Sequence, residues 1–338
     1  MNLNGLIRVA ARACAVIMTS AILVLPVTRS DAAGIVGEYP NRSIRILDQY
    51  GAGGASDVMS RTIGQKFSER FGQTITVDNR PGAAGNLAAD IAAKATPDGY
   101  VLLMAVVSDL ATSPLLYPQM GIQPLRDFAF VTTAASGNYA IVVTPTFPAK
   151  TVAALVDAAK KQPGKISYGS GGIGSQLHLA GELLNTRAGI DLLHVPYKGG
   201  AGAIMTAVAS GEIQVGISSI AGSLPFVTSG RVTPIAVTSV KRAKLYPNVP
   251  TLAEAGIAGY DITPWYGMVA PAATPVAIVK GLSVEVGKIL QLPDVQATFA
   301  NLGLEATPNT PERFREIMQG DIAIATKIVK DAGIKPPQ

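Results

Sequence analysis

Apolar residues along this chain follow two rhythms. Short, nearly continuous runs rich in Val, Ile and Leu alternate with stretches where apolar residues recur every three or four positions. The first marks buried strands and the second amphipathic helices. On this basis residues 43–47, 74–79 and 100–107 are strands, and 57–71 and 86–94 are helices. A further apolar strand covers 138–144, stopped by Pro145 and Pro148, and a helix follows over 152–161 with Thr151 as its N-cap. The alternation then repeats, with strands at 165–168, 192–195, 213–218 and 231–238 and helices at 175–186 and 201–209. Trp265 to Ala270 is a last strand, running into the turn at Pro271 and Pro275. Helices 276–291 and 311–332 close the chain. The order predicts two α/β units. The chain passes from the first to the second near Asn138 and returns near Trp265. Residues 34–137 with 265–338 therefore form one domain and 138–264 the other. In open α/β sheets ligands bind at the carboxyl ends of the strands, and two such units face to face form a cleft that a hinge can close.

The N-terminus changes the picture by setting the compartment. Arg8 and Arg12 precede an uncharged, apolar segment, Ala13 to Val27. At about 15 residues it suits an export signal and is short for a membrane span of about 20. Ser30-Asp31-Ala32 offers a small-x-small cleavage site, so residues 1–33 are the expected signal peptide and the periplasm the expected destination. Cys14, the single cysteine of the 338 residues, lies inside that segment, preceded by Ala11-Arg12-Ala13, where an arginine does not suit a lipoprotein signal. The remaining chain has no thiol, which excludes disulfides, thiolate nucleophiles and cysteine metal sites. Loss of Arg8, Arg12, Arg29 and Asp31 takes three of 28 basic and one of 23 acidic residues, leaving about +3. That charge is scattered, which with export disfavours nucleic acid. No extended apolar stripe asks for a partner subunit, and a monomer is expected.

Two glycine-rich turns stand at matching places, each between a strand and a helix. The first is Tyr50-Gly51-Ala52-Gly53-Gly54 and the second Ser170-Gly171-Gly172-Ile173-Gly174-Ser175. Glycines permit positive φ and close backbone approach. Successive free N–H groups at a helix N-terminus make an anion site without a charged side chain. The pair is therefore the candidate binding site for a carboxylate or phosphate; the alternative is a pair of tight turns. Gly169, Gly171 and Gly174 also fit a dinucleotide fingerprint, but the acid that should end the next strand, Asp191, precedes it instead. The first turn lacks the Gly-Lys-Ser/Thr of a P-loop, and no G-x-S-x-G or H-E-x-x-H occurs. No catalytic residue, metal site or cofactor is expected. His178 and His194, the only two histidines, fit structural roles better than a zinc site, which needs three or four ligands. Asp57 caps or orients the first helix. Tyr197, in the turn Pro196 to Gly200, is a candidate to reach the cleft.

Taken in order, the motifs are similar to those of the tripartite tricarboxylate transporter substrate-binding proteins, also called Bug receptors. The matching stretches are Tyr39-Pro40, Ala52-Gly53-Gly54 with Asp57, Asn79-Arg80-Pro81-Gly82, Pro97-Asp98-Gly99-Tyr100 and Asp127-Phe128. Further on come His178-Leu179-Ala180-Gly181-Glu182, His194 to Gly199, Ala236 to Ser239, Pro250-Thr251, Glu254-Ala255-Gly256, and Gly267 with Ala270-Pro271. The resemblance spans Tyr39 to about Ile334. It implies a two-domain Venus flytrap of the periplasmic type II-like class, each domain a mixed sheet flanked by helices. It further implies a small carboxylate solute held between the two loops by amides, hydroxyls and water, and a membrane transporter with one large and one small subunit. This chain departs from the family where specificity should lie. Gln49-Tyr50-Gly51 replaces Pro-Phe-Pro, Ile173 replaces a polar residue, and Ser218-Ser219 replaces Asp-Asn. Asp109, beside Ser108, replaces a neutral residue. If Asp109 faces the cleft it repels a second carboxylate and attracts an amine. Ser108, Ser218 and Ser219 are the candidates for the rest of the solute. A sensory subunit that presents its closed form to a signalling partner, and an envelope enzyme, are the alternative classes.

Overall fold

The computed structural model describes residues 35–81, 85–197 and 200–336; the expected signal peptide lies outside them. The first strands are β1 (Ile44–Asp48), β2 (Ile75–Asn79), β3 (Val101–Val106) and β4 (Phe128–Gly137), with helices α1 (Ala55–Phe71), α2 (Asn86–Ala93) and α3 (Val107–Ala111) between them. β5 (Tyr139–Val143), β6 (Ser167–Ser170), β7 (Leu193–Pro196), β8 (Val215–Ser219) and β9 (Thr233–Val237) follow, with α4 (Val152–Lys161), α5 (Gln176–Ala188), α6 (Gly200–Ser210) and α7 (Ile220–Thr228). The chain ends with β10 (Trp265–Pro271), α8 (Val276–Leu290), α9 (Pro293–Asn301), β11 (Leu304–Ala306) and α10 (Pro311–Asp331).

Two mixed sheets result, six strands in the order β11-β4-β10-β3-β1-β2 and five in the order β7-β6-β8-β5-β9. In the first, β1 runs parallel to β2 and β3, while β10 is antiparallel to β3 and β4. In the second, β6 is parallel to β7 and β8, and β5 is antiparallel to β8 and β9. The central strands read as unbroken apolar runs because helices cover both faces. On β1, Ile44 and Ile46 pack with Met59, Ile63 and Phe67 of α1, whereas Leu47 points the other way, into a cluster with Ala88, Ala89 and Ala92 of α2. Thr151 caps α4 as expected, accepting the Ala154 N–H at 3.2 Å.

The two crossings between the sheets lie side by side. The Gly137 N–H donates to the Pro264 carbonyl at 3.0 Å, and the Ile262 N–H to the Thr238 carbonyl at 2.9 Å. Helix α10 ties the two sheets together by packing on both β4 and α5. Its buried Phe314 meets Phe130 and Trp265 edge to face, at centroid distances of 5.1 and 5.0 Å. Trp265 is thus a core residue, its Nε1–H donating to Asp321 Oδ2 at 2.6 Å.

Candidate functional site

The first glycine turn is built on a hydrogen-bonded base. Asp48, at the end of β1 and wholly buried, accepts from the Tyr50 N–H (2.9 Å), Ser56 Oγ (2.8 Å) and Ser60 Oγ (3.2 Å). Burial pushes its pKa up, against the pull of those donors. Gln49 bridges neighbours, donating to the Gly85 carbonyl (3.1 Å) and accepting from the Val106 N–H (3.0 Å). Asp57, in the first turn of α1, does more than cap. Its carboxylate accepts from the Gly53 N–H (3.0 Å), Asn79 Nδ2 (3.0 Å) and Arg61 (3.0 Å). Burial opposes its charge, but Arg61, Gly53 and Asn79 outweigh it and hold the pKa below the usual range. Asn79 Nδ2 also reaches the Tyr50 carbonyl at 2.9 Å. The Gly53 amide is therefore committed to Asp57, and the amides of this turn without such a side-chain partner are those of Gly51 and Ala52. Gly51, Ala52 and Gly53 are exposed and Gly54 half-buried.

Tyr50 has two environments. The residue keeps 42% of its surface exposed, while its hydroxyl turns inward and donates to Asp109 Oδ1 at 3.0 Å. Asp109, in the first turn of α3, is 2% exposed, and Ser108 Oγ also donates to Oδ1, at 2.8 Å. Burial drives the Asp109 pKa up to about 7, with Asp48 adding to the rise and the hydroxyls of Ser108 and Tyr50 opposing it. Tyr139, where β5 begins, and Tyr266 of β10 complete the surroundings. Burial and the fields of Tyr266 and Asp109 push Tyr139 well above its ordinary value. Burial, Asp109 and Asp48 push Tyr266 up to about 12.

The second turn is held by histidines. The Gly174 N–H donates to His178 Nδ1 at 3.2 Å, and Ser170 Oγ lies 2.6 Å from His194 Nε2. The two rings stack at 4.0 Å. Burial, with His194 beside it, lowers the His178 pKa to about 3, and burial lowers that of His194 to about 4, so both are neutral. Neutral His178 can accept the Gly174 amide, which an imidazolium could not. The structural role expected for both histidines becomes specific, since they shape the turn. Ser175 is the N-cap of α5, accepting the His178 N–H at 3.2 Å. Gly172 is half-buried and Ile173 is 42% exposed.

The second turn meets the other lobe through residues the sequence did not single out. Gln176, first in α5, accepts the Tyr139 hydroxyl at 2.7 Å, and Tyr139 is close enough to Tyr50 to raise its pKa further, after burial and Asp109. Gly174 has φ +81°, and a Cβ there would stand 2.3 Å from Leu116 Cδ1, so the second turn rests on the chain following α3. Two expectations change, those for Tyr197 and Ser219. Tyr197 does not supply its hydroxyl to the cleft; it donates to Glu212 Oε1 at 2.8 Å, with its ring beside Gly169. Ser219 is engaged as the N-cap of α7, accepting the Gly222 N–H at 3.2 Å. Ser218 is buried, and its hydroxyl has no partner among the described residues.

Two α/β lobes, joined by paired crossings and carrying glycine turns after their parallel strands, define a two-domain solute-binding fold. The profile of the tripartite tricarboxylate transporter family receptor matches residues 59–334, and the chain belongs to that family. It is 35% identical to the UPF0065 protein in the tcbD-tcbE intergenic region of Pseudomonas sp. strain P51, over 89% of this chain and 90% of that one. Protein BugT of Bordetella pertussis is 30% identical over 88% and 91%. Among solved structures, R. palustris Rpa4515 with adipate superimposes with a TM-score of 0.79 at 33% identity, covering 88% of this chain and all of the other (100%). The periplasmic binding protein BugD gives 0.75 at 30%, covering 88% and 99%.

Proposed function

We propose that this chain is a periplasmic receptor that captures a small carboxylate-bearing solute between its lobes, residues 34–137 with 265–338 and residues 138–264. It delivers that solute to a membrane transporter with a large and a small subunit. The observation carrying this reading is the contact of the second glycine turn with the first lobe, where a Cβ at Gly174 would stand 2.3 Å from Leu116 Cδ1, which brings that turn against the chain following Asp109, the hydrogen-bond partner of Tyr50. A solute entering there meets amides of 51–52 and the α1 N-terminus from one lobe and that of Ile173 from the other, the amides of Gly172, Gly174 and Ser175 being engaged within the turn, with Ser108 and Asp109 behind them. Supporting the carboxylate class, Rpa4515 is described with adipate, and MatC of Rhodopseudomonas palustris, 26% identical, with bound malate. Binding without turnover agrees with two histidines held neutral in structural bonds.

The test is a thermal-shift screen of ligand-free protein against mono-, di- and tricarboxylates, amino acids and aromatic acids. A solute at a hundred times its Kd stabilises by about 2.7 kcal/mol, worth roughly 5 °C in a chain of this size. Gly53→Ala and Gly172→Ala, at φ +85° and +116°, should abolish the rise. No shift with any carboxylate would overturn the proposal.

A further inference from the structure

The lobes meet on both sides of the crossings. On one side stand the glycine turns, which follow β1 and β6. On the other is an open groove of about 840 Å³, floored by the crossing residues Gly137, Asn138 and Thr263. The order of the strands places it there. In the larger sheet β4 and β10, which carry the crossings, lie between β1 and β11, and in the smaller sheet β5 lies between β6 and β9. One wall of the groove is β11 with the end of α9, and the other is the loop 239–245 that follows β9. The lobes touch at its base, where a Cβ at Gly303 would stand 2.9 Å from Ile220 Cβ.

The two walls differ in character. The loop carries three exposed cations, Lys241, Arg242 and Lys244, and the facing wall one acid, Glu305. Arg242 is paired with Glu254 of its own lobe at 2.7 Å, and Lys244 reaches across to Glu305 at 3.3 Å. Lys241 forms no ion pair among the described residues. An exposed pair such as Lys244–Glu305 is weak, so a partner's carboxylate can replace it. Beside the lysines stand two apolar side chains open to solvent, Val240 at 61% and Leu245 at 41% exposure. The other wall offers backbone. β11 is the edge of its sheet and pairs only with β4, so its outer side is open to a further strand.

We propose that this groove docks an extended acidic segment of a partner protein, its backbone adding to the edge of β11 and its carboxylates meeting Lys241 and Lys244. Apolar residues alternating with those acids would cover Val240 and Leu245. A segment lying there leaves the glycine turns uncovered, so the partner can hold the receptor while the solute cleft stays accessible. Nothing in this depends on what the cleft binds.

The experiment uses the mature protein without solute and two short fluorescent peptides, one alternating glutamate with valine and the other lysine with valine, followed by anisotropy. Expected is at least tenfold tighter binding of the glutamate peptide, lost at about 1 M salt, where the screening length falls to about 3 Å. Amide hydrogen exchange over residues 304–306 should slow when that peptide binds. Reversing both exposed lysines together, Lys241→Glu with Lys244→Glu, should turn the preference towards the lysine peptide. Failure of the glutamate peptide to bind better than the lysine peptide, a preference unmoved by the reversal, or unchanged exchange over 304–306 would overturn the inference. So would displacement of the peptide by equal concentrations of free glutamate or inorganic phosphate, which would make the groove a small-anion site. Self-association of the protein in place of peptide binding, abolished by the reversal, would assign the groove to a second copy of this chain and overturn it as well. The carboxylate screen is read on the same protein separately, so either reading can fail without the other.

Discussion

Gly174→Ala separates folding from lobe closure. At φ +81° an alanine costs about 1–2 kcal/mol, because its Cβ crowds the carbonyl in the left-handed region. That cost is local and applies whether the lobes are open or closed. The second cost applies only when they meet. The new Cβ would lie 2.3 Å from Leu116 Cδ1, where ordinary contact is about 3.5–4.0 Å, and Leu116 is 1% exposed and cannot swing into solvent. Overpacking of this kind costs about 1–3 kcal/mol, which converts to a loss of solute affinity of roughly five- to 150-fold. Urea unfolding without solute reads the first cost, and calorimetry with a solute found by the screen reads the second. Leu116→Val removes Cδ1, so the double variant should recover most of the affinity but not the stability, a coupling that a double-mutant cycle isolates. A Gly174→Ala protein that is less stable yet binds within twofold of wild type would refute the view that this contact belongs to the bound form.

Other variants test the remaining parts of the site. Asp57→Ala frees Gly53 and Asn79 and should cost about 1–3 kcal/mol in unfolding, with a larger proportional loss of affinity than Arg61→Ala, whose partner stays in place. The histidine pair gives a pH signature. Its folded pKa values of about 3 and 4 lie below the unfolded value near 6.5, so the stability it contributes is present above pH 6.5 and lost as pH falls toward 4. His194→Gln, which cannot protonate, should flatten that decline in urea midpoints measured from pH 7 to pH 4.5. Asp321 has the opposite sign. Burial raises its pKa to about 6, although Trp265 opposes the rise, so its contribution is full at low pH and lost as pH climbs through 6. Asp321→Asn should gain on wild type between pH 4.5 and 7.5, by roughly 2 kcal/mol at most.

Much of the architecture was legible because most strands and helices follow clean periods. The misses have physical causes. β4 (FAFVTTAASG) has no alternation to detect, since its residues are packed on both faces and three are threonine or glycine. α7 carries Pro225 inside, which reads as a break, and α3 follows β3 without a turn residue between them. β11 is three residues long and gains its identity only by pairing with β4. In the site, the glycine turns announced themselves, whereas the groups that aim them did not. Asn79, Gln176 and Leu116 reach the site from distant elements, and Tyr139 acquires meaning only from its place at a crossing. Tyr197 misled because a turn beside a cleft fixes the backbone and not the direction of a long side chain.

The placement of β10 has a consequence for how the molecule is made. It lies between β3 and β4, pairing Tyr266 with Val106 and with Ala135, strands that precede it by well over a hundred residues. Until residues 265–271 are in place, β3 and β4 have no common neighbour, and each presents a bare edge of unpaired amides and carbonyls to any other extended chain. The five-stranded sheet, by contrast, is continuous in sequence from β5 to β9 and can form first. The part of the protein synthesised earliest is thus the last to be completed, and the interval is its period of greatest exposure to aggregation. A chain truncated before Trp265 should retain one folded lobe and lose the other.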